Sequence, residues 1–319
     1  MQITKTLRNK ILLGTAVIVS FACLASLGWA IYNTIQENNP AWLYNDALSH
    51  FIGQQSIYTS ILVNISIYIF AYQLFYLTSP YKPALWLAII FLFIISYLLA
   101  SRNMMLILYT TTIIFSVVFI VQKKKFRQGV TLLVGLAVII LSIFNFFPKT
   151  INRFKELAFT QFDFQSQAKE SHYGAELTPD QWNGANFRLA AWQIGWQLFK
   201  EHPLAGVGIG DKKDELFRKY EEKQFHFAIA TRKNVHNNYL DILFSMGVAG
   251  LVLFLCGWVF LPLIQFIRNR DGLAIIILLT FSLAMLTENY FDRSIGPMLF
   301  GFFIIFLLSS SANNKTKRP

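Results

Sequence analysis

Charged side chains are scarce in this chain. Only 14% of its 319 residues are Asp, Glu, Lys or Arg, whereas 55% are hydrophobic. A soluble domain carries about 25% charged residues, so the composition excludes an ordinary soluble fold. Apolar runs of about 18 residues or more recur, and each is long enough to cross a hydrocarbon layer of about 30 Å. The composition therefore predicts an all-α, polytopic membrane protein.

Cysteine is nearly absent, and so are the usual sequence signatures of metal and nucleotide sites. The two cysteines, Cys23 and Cys256, lie inside apolar runs and are typical of small core residues. No group of His, Cys, Asp and Glu has zinc-site spacing, and no Walker or dinucleotide-binding glycine loop is found. We therefore predict neither a metal nor a cofactor.

Acidic residues are also few, because 28 Lys and Arg stand against 17 Asp and Glu. In a soluble protein this excess would suggest a nucleic acid partner. Here it follows the positive-inside rule, by which Lys and Arg hold short loops in the cytoplasm. Short segments predicted inside hold 13 of the 28 basic residues, and short segments predicted outside hold two, Arg102 and Arg293. We therefore predict no nucleic acid partner.

Eight apolar runs predict eight membrane spans, with both termini in the cytoplasm and one long polar loop outside. The predicted spans are Ile11–Ile31, Ser56–Leu77, Ala84–Ser101, Met104–Val121, Val130–Phe147, Tyr239–Ile267, Leu273–Leu286 and Met298–Leu308, the last with an alternative start near Ile295. Three domains follow: the first five spans in residues 1–147, the outside loop domain in residues 148–235, and the last three spans with the cytoplasmic tail in residues 236–319.

Two polar residues at the outer ends of spans are candidates for a functional site. Arg102 interrupts an apolar stretch within a short turn, where it either snorkels to the interface or binds an anion. Its planar guanidinium suits phosphate oxygens. His236 precedes the sixth span, and a neutral imidazole can take a proton from a hydroxyl, although a lone histidine is more often structural.

The long loop contains a predicted helix that carries a third candidate. Asn186 is expected to cap its N-terminus, and Arg188, Trp192 and Trp196 then recur every four residues. Interfacial anchoring is favoured for the two tryptophans over stacking on sugars. The glycines of HPLAGVGIGD that follow, residues 202–211, favour a structural loop over a phosphate cradle.

Three segments together resemble one known family. They are SRNMM around Arg102, FRLAAWQIGWQLFKEHPLAGVGIGD, and HNNYLDILFSMGVAGLVLF, and in order and spacing they cover the chain from Ser79 to the end of the sixth span. They are similar to the O-antigen ligases and polymerases that build bacterial envelope polysaccharides, including lipopolysaccharide. The resemblance implies an inner-membrane helical bundle with one large, partly helical periplasmic loop, as in other lipid-dependent membrane glycosyltransferases.

The resemblance also implies substrates and roles for individual residues. Family members take glycan from undecaprenyl diphosphate, and the acceptor is lipid A core or another glycan; the ligase branch is regarded as metal-independent. By position, Arg102 and Arg188 match arginines that would hold the donor diphosphate, and His236 matches the histidine that would act on the acceptor hydroxyl. Weaker candidates for substrate binding are Trp192, Trp196, Asn237, Asp292 and Arg293.

Several alternatives stay open at this point. Glu288, Asp292 and Arg293 in the last outside loop either orient the site or are solvated, and the solvated state is favoured. The main expectation is an O-antigen ligase-like transferase with its site facing the periplasm, and the alternative is a repeat-unit polymerase of the same family. A non-catalytic scaffold or a polysaccharide transporter is the alternative of a different class. A transporter would show ionisable residues at mid-span depth or paired broken helices, and neither is found.

Overall fold

The protein is represented by a computed structural model that describes residues 3–77, 79–121, 124, 126–146, 155, 158–171 and 181–311. This part of the chain is helical, and its extended structure is limited to one isolated bridge between Glu170 and Trp182. The helices are α1 Lys5–Glu37, α2 Asn45–Ser49, α3 Ser56–Tyr76, α4 Lys82–Leu98, α5 Arg102–Val121, α6 Phe126–Phe146, α7 Gly184–Glu201, α8 Lys212–Glu222, α9 His226–Thr231, α10 Asn238–Phe254, α11 Leu261–Arg268, α12 Gly272–Ala284 and α13 Ile295–Ser311.

A helix stands at each of the eight predicted spans, with α10 and α11 joined by the π-helical turn Leu255–Phe260. Within the described residues, three helices are long and apolar enough to cross a membrane: Lys5–Glu37, Ser56–Tyr76 and Asn238–Arg268. The other apolar helices are shorter. The all-helical class is confirmed, whereas the count of eight spans stays a prediction. The basic tail, Lys123 and Lys125 of the KKKFR segment and the start of the long loop lie outside the described residues.

The chain divides into two compact units, which cut across the three predicted domains. The first unit contains residues 1–133, 262–281 and 295–319. Buried polar contacts tie its helices together, since Asn64 Nδ2 donates to the Met104 carbonyl oxygen at 2.9 Å and the Tyr68 and Thr111 hydroxyls lie 2.8 Å apart. A polar side chain inside an apolar bundle needs such a partner, because the bilayer offers none. The predicted domain boundaries themselves stay a prediction.

One ion pair in the first unit bears on the topology. The Arg8 guanidinium and the Asp271 carboxylate are hydrogen-bonded, and both side chains are nearly buried. The N-terminal segment and the turn between α11 and α12 therefore meet. Charge counting predicts both segments on the cytoplasmic side, and their contact agrees with that part of the predicted topology.

The second unit contains residues 134–261 and 282–294 and has its own hydrophobic core. Helices α7, α8 and α9 and the first half of α10 enclose this core. Its members include Trp182, Ile194, Leu198, Tyr220, Phe225, Val235, Leu240 and Phe244. Gly195 lets α7 approach α10 closely, because a Cβ there would lie 3.0 Å from Leu240 Cδ2.

The glycine segment after α7 inserts against a break in α10. Gly247 has φ 66° and ψ −170°, which is a glycine-only conformation and interrupts the helix. The freed backbone groups pair with the segment: Val207 N donates to Phe244 O, Gly208 N to Ser245 O and Val248 N to Pro203 O, each at 2.9 Å. The expectation of a structural loop in residues 202–211 agrees with this geometry. The helix break was not expected.

Candidate functional site

The start of α7 is held by a reciprocal cap that places Arg188 one turn into the helix. Asn183 is the N-cap residue, and its side-chain oxygen accepts from Ala185 N and Asn186 N. The Asn186 side chain accepts in return from Asn183 N at 2.8 Å, which completes a capping box. The expectation that Asn186 itself is the N-cap was therefore wrong by three residues. Its amide lies inside the first turn because the chain begins to coil earlier, at Gly184.

Arg188 belongs to the second unit and binds the loop before α13. Its Nε donates to the Thr287 carbonyl oxygen at 2.8 Å, Nη1 donates to the Gly184 carbonyl oxygen at 2.6 Å, and Nη2 donates to Glu288 Oε1 at 2.6 Å. A guanidinium has five N–H groups. Contacts among the described residues use three, which leaves one N–H on each terminal nitrogen for another acceptor. The Arg188 side chain is 20% exposed.

Glu288 joins the two residues that sequence analysis singled out in this unit. One carboxylate oxygen accepts from Arg188, and the other lies 2.8 Å from His236 Nδ1. Burial alone would raise the pKa of the Glu288 carboxyl, but the nearby His236 and Arg188 charges and hydrogen bonds lower it to about 2. Glu288 is thus an ionised bridge at neutral pH. The solvated state favoured from sequence was wrong for this residue.

The Glu288 contact also determines which nitrogen of His236 can react. An ionised carboxylate only accepts hydrogen bonds, so His236 Nδ1 must carry the hydrogen. In the neutral ring Nε2 then has the lone pair and can take a proton. The ring packs edge-on against Phe187, with centroids 5.6 Å apart, and the side chain is 24% exposed.

The backbone of His236 is held in an unusual conformation. Its φ is 48°, in the left-handed region that residues other than glycine seldom adopt. Asn234 Oδ1 accepts from His236 N at 2.9 Å, and Asn234 Nδ2 donates to Asp292 Oδ2 at 2.9 Å. One amide side chain therefore fixes the backbone of the histidine and ties it to the last loop. Strained backbone of this kind is common at functional sites.

A second charged cluster lies next to the first. Lys212 Nζ lies 2.6 Å from Asp241 Oδ2 and 3.6 Å from Asp292 Oδ1. The lysine is 17% exposed and Asp241 is 9% exposed, so this pair is largely removed from water. Asp292 thus connects Lys212 to Asn234. The solvated state favoured for Asp292 was also wrong, whereas Arg293 is exposed.

The remaining candidates differ in their surroundings. Asn237 caps α10, because its side-chain oxygen accepts from Leu240 N at 3.0 Å. Trp192 packs against the core of the second unit, while Trp196 is 46% exposed and lies against Phe199 with tilted rings and centroids 5.0 Å apart. The burial of Trp192 favours a packing role, and the exposure of Trp196 suits an interfacial anchor.

Arg102 belongs to the first unit, where it is the first residue of α5. The preceding turn contains Ala100 with φ 49°. The Arg102 side chain is half-buried. The structure thus brings Arg188 and His236 together through Glu288, and the joint action of Arg102 with them stays a prediction. Among the described residues, no group of three or more His, Cys, Asp and Glu is arranged to hold a metal ion.

A comparison with models of known protein families shows to which family the chain belongs. A family model described as O-antigen ligase matches residues 87–255, which is more than half of the chain. The chain belongs to the O-antigen ligase family. Members of this family are membrane proteins and glycosyltransferase-like enzymes of O-antigen ligase or polymerase type. No curated protein matches the chain.

The matched region and the geometric site overlap only in part. Arg102, Arg188 and His236 lie inside residues 87–255, while Glu288 and Asp292 lie beyond its end. Sequence analysis named Glu288 but could not assign it a partner, because Arg188 is 100 residues away along the chain. Asn234 and Lys212 were missed altogether. The one available signal was that Asn234 lies two residues before His236.

Proposed function

We propose that this member of the O-antigen ligase family transfers a glycan from undecaprenyl diphosphate to an acceptor hydroxyl at the periplasmic face of the inner membrane. Lipid A core is the expected acceptor, and no metal takes part. The observation that supports this proposal best is the Glu288 bridge. It fixes His236 with Nε2 available for a proton and fixes Arg188 with two N–H groups still available.

The chemical step needs a base and a charge partner. The acceptor oxygen forms a bond to the anomeric carbon, and the bond from that carbon to the diphosphate oxygen breaks. The hydroxyl proton passes to His236 Nε2, and the electron pair of the broken bond leaves on the diphosphate. Arg188 and Arg102 stabilise the negative charge that grows there, because cations already in place need no rearrangement during the reaction.

Glu288 acts through the other two residues. Its charge holds the Nδ1–H tautomer of His236 and stabilises the imidazolium that forms as the proton arrives. The same carboxylate orients the Arg188 guanidinium. It is a positioning residue in this scheme, because one of its oxygens is bonded to Arg188 and the other to His236.

A deletion strain complemented with variants tests the proposal. Arg102→Ala, Arg188→Ala and His236→Ala should each abolish glycan transfer while membrane levels of the protein stay normal. Arg218→Ala and His226→Ala are matched controls on exposed helices and should transfer normally. Full activity in all three site variants would exclude this site. Loss of activity on chelation of divalent cations would exclude metal independence.

The glycan banding pattern of the deletion strain separates the two enzymes of the family. A ligase leaves long lipid-linked polymer that accumulates without reaching its acceptor. A polymerase leaves product capped with a single repeat unit. The same strain tests the alternative of a non-catalytic scaffold. A scaffold would still work when Arg102 and Arg188 are replaced together.

A further inference from the structure

The loop between α7 and α8 presents two bare hydrophobic side chains to solvent. Leu204 is 78% exposed and Ile209 is 64% exposed, and Leu204 is the most exposed large hydrophobic residue in the described part of the chain. Both lie in the second unit, outside its core. A lone exposed apolar residue is ordinary, so the meaning of these two depends on where the loop lies along α10.

This loop is rigidly attached to α10. Its three backbone hydrogen bonds run to Phe244, Ser245 and Val248, on both sides of the helix break. A Cβ on Gly206 would lie 2.3 Å from the Ser245 carbonyl carbon, and one on Gly247 would lie 2.1 Å from the Leu204 carbonyl oxygen. The two backbones are therefore in direct contact, and Leu204 lies level with Gly247.

Burial changes abruptly at the same level of α10. Before Gly247, Leu240 and Phe244 are buried in the core of the second unit. After it, Val248, Val252 and Leu253 are 43%, 50% and 72% exposed. Exposed apolar residues continue on the helical turns to Ile267.

The length of this exposed stretch matches a bilayer. Residues 248–267 number 20. At 1.5 Å per residue they span about 30 Å, which is the thickness of the hydrocarbon layer. A membrane crossing by residues 248–267 would place the hydrocarbon boundary at Gly247 and leave the first half of α10 outside the bilayer.

We propose that the tip of this loop, Leu204 with Ile209, inserts into the leaflet on its own side of the membrane, in contact with lipid acyl chains. The Leu204 backbone contacts α10 at Gly247, just before the exposed Val248, Val252 and Leu253 of that helix. The exposed Lys200 and Lys213 flank the loop in sequence, where they suit lipid phosphate groups. Trp196, half-exposed on α7, is the residue type found at such an interface.

Site-specific fluorescence tests the insertion without any measurement of glycan transfer. In a background with Cys23 and Cys256 replaced by Ala, the variants Leu204→Cys, Ile209→Cys and Glu221→Cys are each labelled with an environment-sensitive probe. Glu221 is an exposed position on α8 and serves as the aqueous control. The native Cys256, exposed on the spanning helix, is retained in a fourth protein as the lipid control. All four are placed in nanodiscs of phosphatidylcholine and phosphatidylglycerol.

The probes at 204 and 209 should emit at shorter wavelength than the probe at 221 and be quenched by spin-labelled lipid, as the probe on Cys256 is. Iodide should quench only the probe at 221. A probe at either 204 or 209 that behaves like the one at 221 overturns the proposal. Because the readout is lipid contact, this result is independent of whether the proposed transferase activity is correct.

Discussion

Two charged clusters lie side by side in the second unit and differ in what they leave available. In the first, Glu288 joins Arg188 and His236, and each of these two side chains keeps polar groups that no contact among the described residues uses. In the second, Lys212 lies between Asp241 and Asp292, and its charge is matched by carboxylates on both sides. The first cluster is organised like a reactive site, whereas the second is a structural ion-pair cluster. Asn234 connects the two clusters.

Replacement of the base should have the largest effect. His236→Ala removes the proposed proton acceptor, and general-base catalysis contributes about 100- to 10,000-fold. We expect glycan transfer by purified protein in lipid to fall by that range, measured as product formed per minute. His226→Ala, at an exposed position on α9, is the matched control. A loss of less than about tenfold would contradict a role for His236 as base.

Replacement of Lys212 in the structural ion-pair cluster should affect stability first. Lys212→Met leaves Asp241 as a largely buried carboxylate without its cation, and breaking such a pair costs about 3–5 kcal/mol. We expect a lower unfolding temperature in detergent and less protein in the membrane, with near-normal activity per folded molecule. Lys223→Met, at an exposed position, should change neither. Normal stability with lost activity would instead place Lys212 in the reactive cluster.

Acid should weaken the reactive cluster within a defined window. The pKa of Glu288 falls from 4.5 to about 2 on folding, so its contribution is complete above pH 4.5 and is lost as the pH drops towards 2. The shift corresponds to about 3 kcal/mol of stability. The unfolding temperatures of the wild type and of Glu288→Gln should therefore differ by a constant amount above pH 5 and converge below it. A difference that grows on acidification would contradict the ionised bridge.

The same substitution should lower activity by a smaller factor than loss of the base. Glu288→Gln keeps the shape of the side chain but removes the charge that orients the histidine and stabilises the imidazolium, so transfer should fall less than in His236→Ala. The pH dependence of the rate should shift as well, because the residual activity depends on an unassisted histidine. Glu221→Gln is the exposed control. An unchanged pH profile would indicate that Glu288 serves packing alone.

The smallest effect is expected on the surface of α8. Arg218 is exposed and pairs with Glu215 and Glu222 on the same helix. Such solvated pairs contribute little, because water screens the attraction. Arg218→Ala should leave both transfer activity and unfolding temperature within error of the wild type. A measurable loss of transfer would mean that the reactive surface extends onto this helix.

The sequence predicted the helices well because their signal is local. A helix lies at each apolar run that predicted a span, and the positive-inside rule predicted a common side for the segments that contain Arg8 and Asp271, which are in contact. The contact of Arg188 and His236 with Glu288 carries no such signal, since it joins chain segments that are 100 and 52 residues apart. Only the folded core of the second unit brings them together.

Helix ends and breaks were harder to predict for a related reason. Asn183 and Asn186 are both good cap residues, and the reciprocal hydrogen bonds that choose between them form only in three dimensions. Gly247 lies in an unbroken apolar run that favours a straight helix. The break is stabilised by backbone groups of residues 203–208, which a local pattern cannot report.

The crossing of Gly206 and Gly247 makes these two positions interdependent. Neither position has room for a methyl group, and the obstacle at each is the main chain of the other segment. A single added carbon at either glycine would push the two main chains apart. Two residues 41 positions apart in sequence thus hold one junction, and the loop and the helix break at α10 form as a pair.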